Sequence, residues 1–322
     1  MKELQEKLLP LLEDLNTMAP VFLWKAAPHS GATYLQRLLR TSDELLVFGE
    51  TNFPFGRISG GLGKLAQMLR RDDTPSSSDS SSDARSPAEM LEEFASGNYD
   101  LYPIYAGPPM VQLKTHFMEL FHDLCVSFQA KATDYGFPKW GLKPGIPGAG
   151  ASARIRGLQA MMPRSKHLFI YRNIQDTLKM LNAQQRRTHI GKWDTTAGDQ
   201  WAISGDYEWR IHDFCRLWGD SIQTVREKLT DGDDVLMVRF EDLQDIDVRR
   251  DTLRDVADFL DLEPLDADLE HDVNSCWEPE TGHLTSANFV PPEPLSTRQL
   301  ETLRQAVRLE FVEELGYAID EP

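Results

Sequence analysis

Residues 21–40 read VFLWKAAPHSGATYLQRLLR, and this stretch decides the fold class. Val21–Trp24 is an apolar run with β-branched and aromatic character, the pattern of a buried strand. Ala27–Ala32 is a loop of small residues with Pro and Gly, and from Thr33 to Arg40 the leucines at 35, 38 and 39 fall at helical spacing. A strand, a tight loop and a helix start form an anion cradle. The first N–H groups of the helix lack intrahelical acceptors, and the positive end of the helix dipole stands behind them. Ser30 and Thr33 are expected to add hydroxyl donors, and Gly31 to let a phosphate approach the backbone. The loop has no GxxxxGK[ST] lysine, so it is not a Walker A sequence.

The rest of the chain alternates strands and helices around this element. Upstream, Leu4, Leu8, Leu11, Leu12 and Leu15 predict an amphipathic helix over 3–15, started or interrupted by Pro10. Downstream, strands are predicted at Glu44–Phe48, Lys139–Lys143, His167–Tyr171 and Val235–Phe240. Helices are predicted over 56–71, 111–128, 154–162, 174–182, 207–228, 251–260 and 296–314. The stretch DDTPSSSDSSSDARSP from Asp72 to Pro87 is too polar to order itself and reads as a disordered insertion over about 72–88. Residues 186–206 read as a long functional flap. The alternation predicts an α/β protein with a mostly parallel central sheet flanked by helices, a single domain over 1–322.

Composition narrows the function. At 41% hydrophobic, 322 residues suffice for a sizeable core. A net charge of -17 argues against nucleic acid as a partner and disfavours polyanionic glycans. Three cysteines, at 125, 215 and 276, are widely spaced and odd in number, which suits reduced thiols better than disulfides or zinc. The N-terminus has no apolar signal-peptide core, and 18 apolar residues never run together. A cytoplasmic protein with no membrane partner is the expectation.

The segment PHSGATYLQRLL resembles the 5′-phosphosulfate loop of the sulfotransferases, P-[KR]-[ST]-G-[ST]-T. HLFIYRNIQDTLKML resembles the family's second element, a strand followed by R-[ND]-P-x-[DE], with Arg172, Asn173 and Asp176 at the matching places. VLMVRFEDLQDIDVRRDTLRDVADFLDLE resembles the strand–YEDL–helix–FLGL segment, with Phe240 at the usual tyrosine. The resemblance spans about Val21 to Leu262. It implies a P-loop NTPase-like sulfotransferase fold and transfer of a sulfuryl group from 3′-phosphoadenylyl sulfate (PAPS), leaving the bisphosphate PAP. His29, Ser30, Gly31, Ala32, Thr33 and Tyr34 would then hold the 5′ side of the donor. Arg172 would grip the 3′-phosphate with the bidentate geometry only a guanidinium has, and Phe240 would complete the nucleotide site. Two positions depart from the pattern. His29 stands where the family has Lys or Arg, and its imidazole, with an ordinary pKa of about 6.5, needs the phosphates to raise it if it is to be charged at pH 7. Met180 stands where a serine normally helps hold the 3′-phosphate, and the tail has no RKG segment.

Sulfuryl transfer to a hydroxyl or amine needs in-line placement, a base and positive charge at the leaving phosphate. The single bridging oxygen does not demand a metal. Two residues compete for the base. Lys114-Thr115-His116 copies the KTH triplet of the cytosolic small-molecule enzymes, but it falls within a helical pattern. FGETN instead resembles the GEE of tyrosylprotein sulfotransferases, which favours Glu50, and Leu142-Lys143-Pro144 resembles that family's lysine before proline. Lys143 would then stabilise charge on the transferring group. The acceptor is expected to be a small molecule or a peptide. Two other readings stand beside this one: a PAP/PAPS-binding module of the same fold with impaired catalysis, motivated by His29 and Met180, and a P-loop small-molecule kinase.

Overall fold

The computed structural model describes residues 2–50, 108–145, 151–187, 207–228, 234–267, 276–278, 283–285 and 292–321. The helix expected over 56–71, the Ser-rich stretch 72–88 and residues 188–206 lie outside the described residues. In chain order the elements are α1 (Lys2–Thr17), β1 (Val21–Lys25), α2 (Ala32–Leu39), β2 (Leu45–Glu50), α3 (Pro108–Asp134), β3 (Lys139–Gly145), α4 (Ala151–Met161) and β4 (Lys166–Tyr171). They continue as α5 (Ile174–Arg187), α6 (Tyr207–Lys228), β5 (Val235–Arg239), α7 (Phe240–Gln244), α8 (Ile246–Leu260), β6 (Cys276–Glu278), β7 (His283–Thr285), α9 (Thr297–Ala306) and α10 (Leu309–Glu314).

Five strands form a mostly parallel sheet in the order β2-β3-β1-β4-β5. β4 and β5 pair in parallel, with His167 opposite Val235 and Tyr171 opposite Arg239. The end of β1 lies level with the end of β4, where the Ala26 N–H donates to the Ile170 carbonyl at 2.9 Å. The chain order reverses about β1, and in open α/β sheets ligands bind beyond the strand carboxyl ends at such a switch point. Separately, β6 and β7 form a small antiparallel pair, which the sequence pattern did not predict.

By its contacts the chain divides into two compact units. The first comprises Met1–Phe22, Phe48–Pro144 and Ser152–Lys166. There α1 packs on α3. Leu8, Leu12 and Leu15 of α1 are buried, as are Met118, Phe121 and Cys125 of α3. Helix α1 runs through Pro10 rather than breaking at it. Burial of leucines on both sides of the proline outweighs the roughly 3 kcal/mol that an interior proline costs. Lys7 pairs with Glu119 at 2.8 Å and the His122 ring with Asp14 at 2.7 Å, both between α1 and α3.

The second unit comprises Leu23–Val47, Gly145–Ala151 and His167–Pro322. Its core includes a polar pair: the Trp24 indole N–H donates to His167 Nδ1 at 3.0 Å, and both side chains are fully buried. The expected tail helix over 296–314 is two helices, α9 and α10, because Val307 is extended (φ -99, ψ 155). At about 100° per residue a continuous helix would place Val312 opposite Leu303. The break lets Leu303, Phe311 and Val312 all be buried. Helix α8 begins earlier than expected because the Asp245 side chain accepts from the Asp247 N–H and caps it. No helix among the described residues is long and apolar enough to cross a membrane.

Candidate functional site

The segments that follow β1, β4 and β5 meet at the carboxyl edge of the second unit's strands. Tyr171 and Arg239 are paired, so the next residues, Arg172 and Phe240, leave the sheet side by side. The Arg172 guanidinium lies over the Phe240 ring, 4.5 Å from its centroid. The same ring abuts the cradle. A Cβ built on Gly31 would fall 2.0 Å from Phe240 Cδ2, and Gly31 has φ +93. Both space and backbone therefore exclude a side chain at 31. Tyr34 meets Phe240 edge to face at 5.6 Å, and its hydroxyl donates to the Leu243 carbonyl at 3.1 Å. Burial raises the pKa of that phenol.

The cradle loop is shaped from within. Ser30 is fully buried. Its hydroxyl donates to the Ala27 carbonyl at 2.8 Å and accepts from the Ala27 N–H at 3.1 Å. The hydroxyl expected to face a phosphate is thus engaged in folding the loop. His29 is half-buried with φ 61, a left-handed conformation uncommon for non-glycine residues. Gly31 precedes α2 without a side-chain cap, and the first helical bond runs from the Leu35 N–H to the Gly31 carbonyl at 3.0 Å. The first N–H groups of an α-helix have no acceptor within the helix itself.

The turn carrying Arg172 is held from outside. The Arg172 carbonyl accepts from the Trp218 indole N–H at 2.9 Å, and the Asn173 N–H donates to Glu241 Oε1 at 2.9 Å. Asn173 Oδ1 caps α5 by accepting from the Gln175 N–H at 2.8 Å. The Arg172 side chain reaches toward the cradle, with Nη1 3.4 Å from the His29 carbonyl. Its Nε is buried without a hydrogen-bond partner among the described residues. Burial lowers the guanidinium pKa, with Asp176 and Glu241 acting against the shift. Asp176 pairs with Lys179 at 3.1 Å, and Met180 is half-buried on α5.

The remaining candidates belong to the first unit. Glu50 is the last residue of β2, two residues beyond the strand end at Phe48 expected from the pattern. Lys143 lies near the end of β3 and is only 7% exposed. The His116 side chain is 61% exposed on α3 and pairs with Glu119 at 3.1 Å. Among the described residues no group of three or more His, Cys, Asp or Glu could hold a metal. The sequence reading missed Trp218, Glu241 and Tyr317. Only Glu241 left a signal, as the acid following Phe240.

Fold and site define an α/β protein with a strand–loop–helix cradle beside a half-buried arginine. Among solved structures, the chain is similar to the sulfotransferase domain of the Synechococcus PCC 7002 olefin synthase, with 16% identity over 94% of this chain and 97% of that one and a TM-score of 0.44. It is also similar to sulfotransferase STF9 from Mycobacterium avium, with 13% identity over 97% of this chain and 81% of that one and a TM-score of 0.45. The sulfotransferase domain of the curacin biosynthetic pathway is 13% identical over 94% of this chain and 99% of that one, with a TM-score of 0.43. No protein-family model matches the sequence, and no curated protein matches it.

Proposed function

We propose that this protein is a sulfotransferase that moves a sulfuryl group from PAPS to a hydroxyl or amine of a small-molecule or peptide acceptor in the cytoplasm. One observation carries the reading. Gly31 and Arg172 both meet the Phe240 ring, and the three come from distant sequence motifs that the resemblance assigns to one nucleotide. The residues fit such a donor. The α2 start offers backbone N–H groups to an anion, and the buried Arg172 Nε has an unmet hydrogen-bonding capacity. Arg172 grips the 3′-phosphate, and the loop from His29 to Tyr34 receives the 5′ phosphosulfate. Protonated His29 supplies charge at the leaving phosphate. Glu50, or else His116, removes the acceptor proton, and Lys143 stabilises charge on the transferring group.

The test is calorimetric titration with adenosine 3′,5′-bisphosphate, followed by transfer from labelled donor to acceptor pools. Arg172→Ala should weaken bisphosphate binding about 100-fold, and Arg172→Lys should restore only part of it. Unchanged affinity in Arg172→Ala would remove the 3′-phosphate assignment. The engaged Ser30 hydroxyl and Met180 favour a second reading, a nucleotide-binding module of low activity. Tight bisphosphate binding without transfer to any acceptor would select it.

A further inference from the structure

We infer that Trp218 and Glu241 are positioning residues that act through Arg172, and that Tyr317 of the C-terminal segment sets Glu241; this rests on the proposed role of Arg172 as a phosphate grip. Arg172 and Asn173 form the two-residue turn between β4 and α5, where the Asn173 carbonyl accepts the first helical bond from the Thr177 N–H at 3.0 Å. The peptide joining them is held at both ends. Its carbonyl accepts from Trp218, 46 residues away, and its N–H donates to Glu241, 68 residues away. A peptide group held at both its C=O and its N–H resists rotation, which restrains the backbone on the carboxyl side of the Arg172 Cα and the base from which the side chain extends. From that base the guanidinium reaches over the Phe240 ring. A pre-set fork binds phosphate without the ordering cost of a free arginine.

Glu241 is itself held. Its second oxygen accepts from the Tyr317 hydroxyl at 2.7 Å, and the Arg239 guanidinium lies 4.5 Å over the Tyr317 ring. Gly316, with φ +75, turns the chain into this position, and its carbonyl accepts from Arg239 Nη2 at 3.1 Å. Beyond it the segment continues across the start of α5. Asn173 Nδ2 donates to the Ala318 carbonyl at 3.3 Å, and the Asp320 N–H donates to Gln175 Oε1 at 2.8 Å. Burial and the neighbouring Glu241 carboxylate both raise the Tyr317 phenol pKa, so it stays a hydrogen-bond donor across the working pH range.

The experiment is a double-mutant cycle on the full chain, read by bisphosphate affinity. Glu241→Ala and Trp218→Phe should each weaken binding about tenfold, with Glu241→Gln close to wild type because the amide oxygen still accepts from Asn173. In an Arg172→Ala background, Glu241→Ala should cost no further affinity. An equal loss in both backgrounds, or no loss in Glu241→Ala, overturns the inference. If the wild-type protein binds no bisphosphate, the nucleotide reading fails, and amide exchange at Asn173 decides the positioning claim alone. Faster exchange in Glu241→Ala at unchanged global stability upholds the clamp, and unchanged exchange overturns it.

Discussion

The two loops that meet at Phe240 are built on opposite plans. The cradle loop after β1 is closed by its own residues. Ser30 bonds back to Ala27 in both directions, and the chain reverses through left-handed backbone at His29 and Gly31. The turn after β4 has local support only on its Asn173 side, from the cap on Gln175 and the Thr177 bonds to the Asn173 carbonyl, and its Arg172 side is fixed by Trp218 and Glu241, with the C-terminal segment holding Asn173. An anion cradle made of backbone must keep its shape in any tertiary context, whereas a side-chain fork is aimed only by what surrounds it.

The sharpest way to break the first plan is Gly31→Ala. The new methyl would meet the Phe240 ring in a backbone region that alanine avoids. A loss of about 3 kcal/mol or more in urea denaturation is expected, and a neutral effect would mean that the ring moves aside freely.

Acid should loosen both regions together, because the Trp24–His167 bond joins the strands that carry them. Burial lowers the His167 pKa to about 3. A histidine whose folded pKa is depressed contributes its full stability above the unfolded value near 6.5, and loses it as pH falls toward 3. By about pH 4.5 the loss should approach roughly 3 kcal/mol, and the His167→Gln variant should lack this slope between about pH 7 and 5. Parallel slopes in the two proteins would show that other groups control the acid limb.

Smaller substitutions separate the plans. Ser30→Ala should cost about 2 kcal/mol, since it leaves a buried Ala27 N–H without its acceptor. Asn173→Ala should cost about 1 kcal/mol as a lost helix cap, because Trp218 and Glu241 still hold the turn. The reverse order would show that the turn, not the cradle, depends on its own residues. His29 then sharpens the functional side. If its charge assists the leaving phosphate, turnover should fall as pH rises through its donor-bound pKa, and His29→Lys should flatten that fall because lysine stays charged to about pH 10. If His29→Lys keeps the same profile, Lys25 becomes the candidate for that charge.

What the sequence alone determined lies within short windows. Strand–loop–helix around Gly31, the strand delivering Arg172 and the amphipathic helices are set by apolar spacing and loop chemistry over about ten residues. The glycine requirement at 31 was legible as a phosphate approach, and the structure adds the Phe240 ring as a second cause. What only the tertiary structure decided are the partners of groups whose chemistry permits several. Ser30 turned its hydroxyl into the loop, Phe240 began a helix rather than ending a strand, and the tail broke at Val307 so that Phe311 and Val312 could both be buried. The Trp218 and Glu241 clamp joins residues 46 and 68 apart. Such pairings depend on strand register and helix placement, which no local periodicity records, and a carboxylate or an indole N–H carries no mark of its distant partner until the chain is folded.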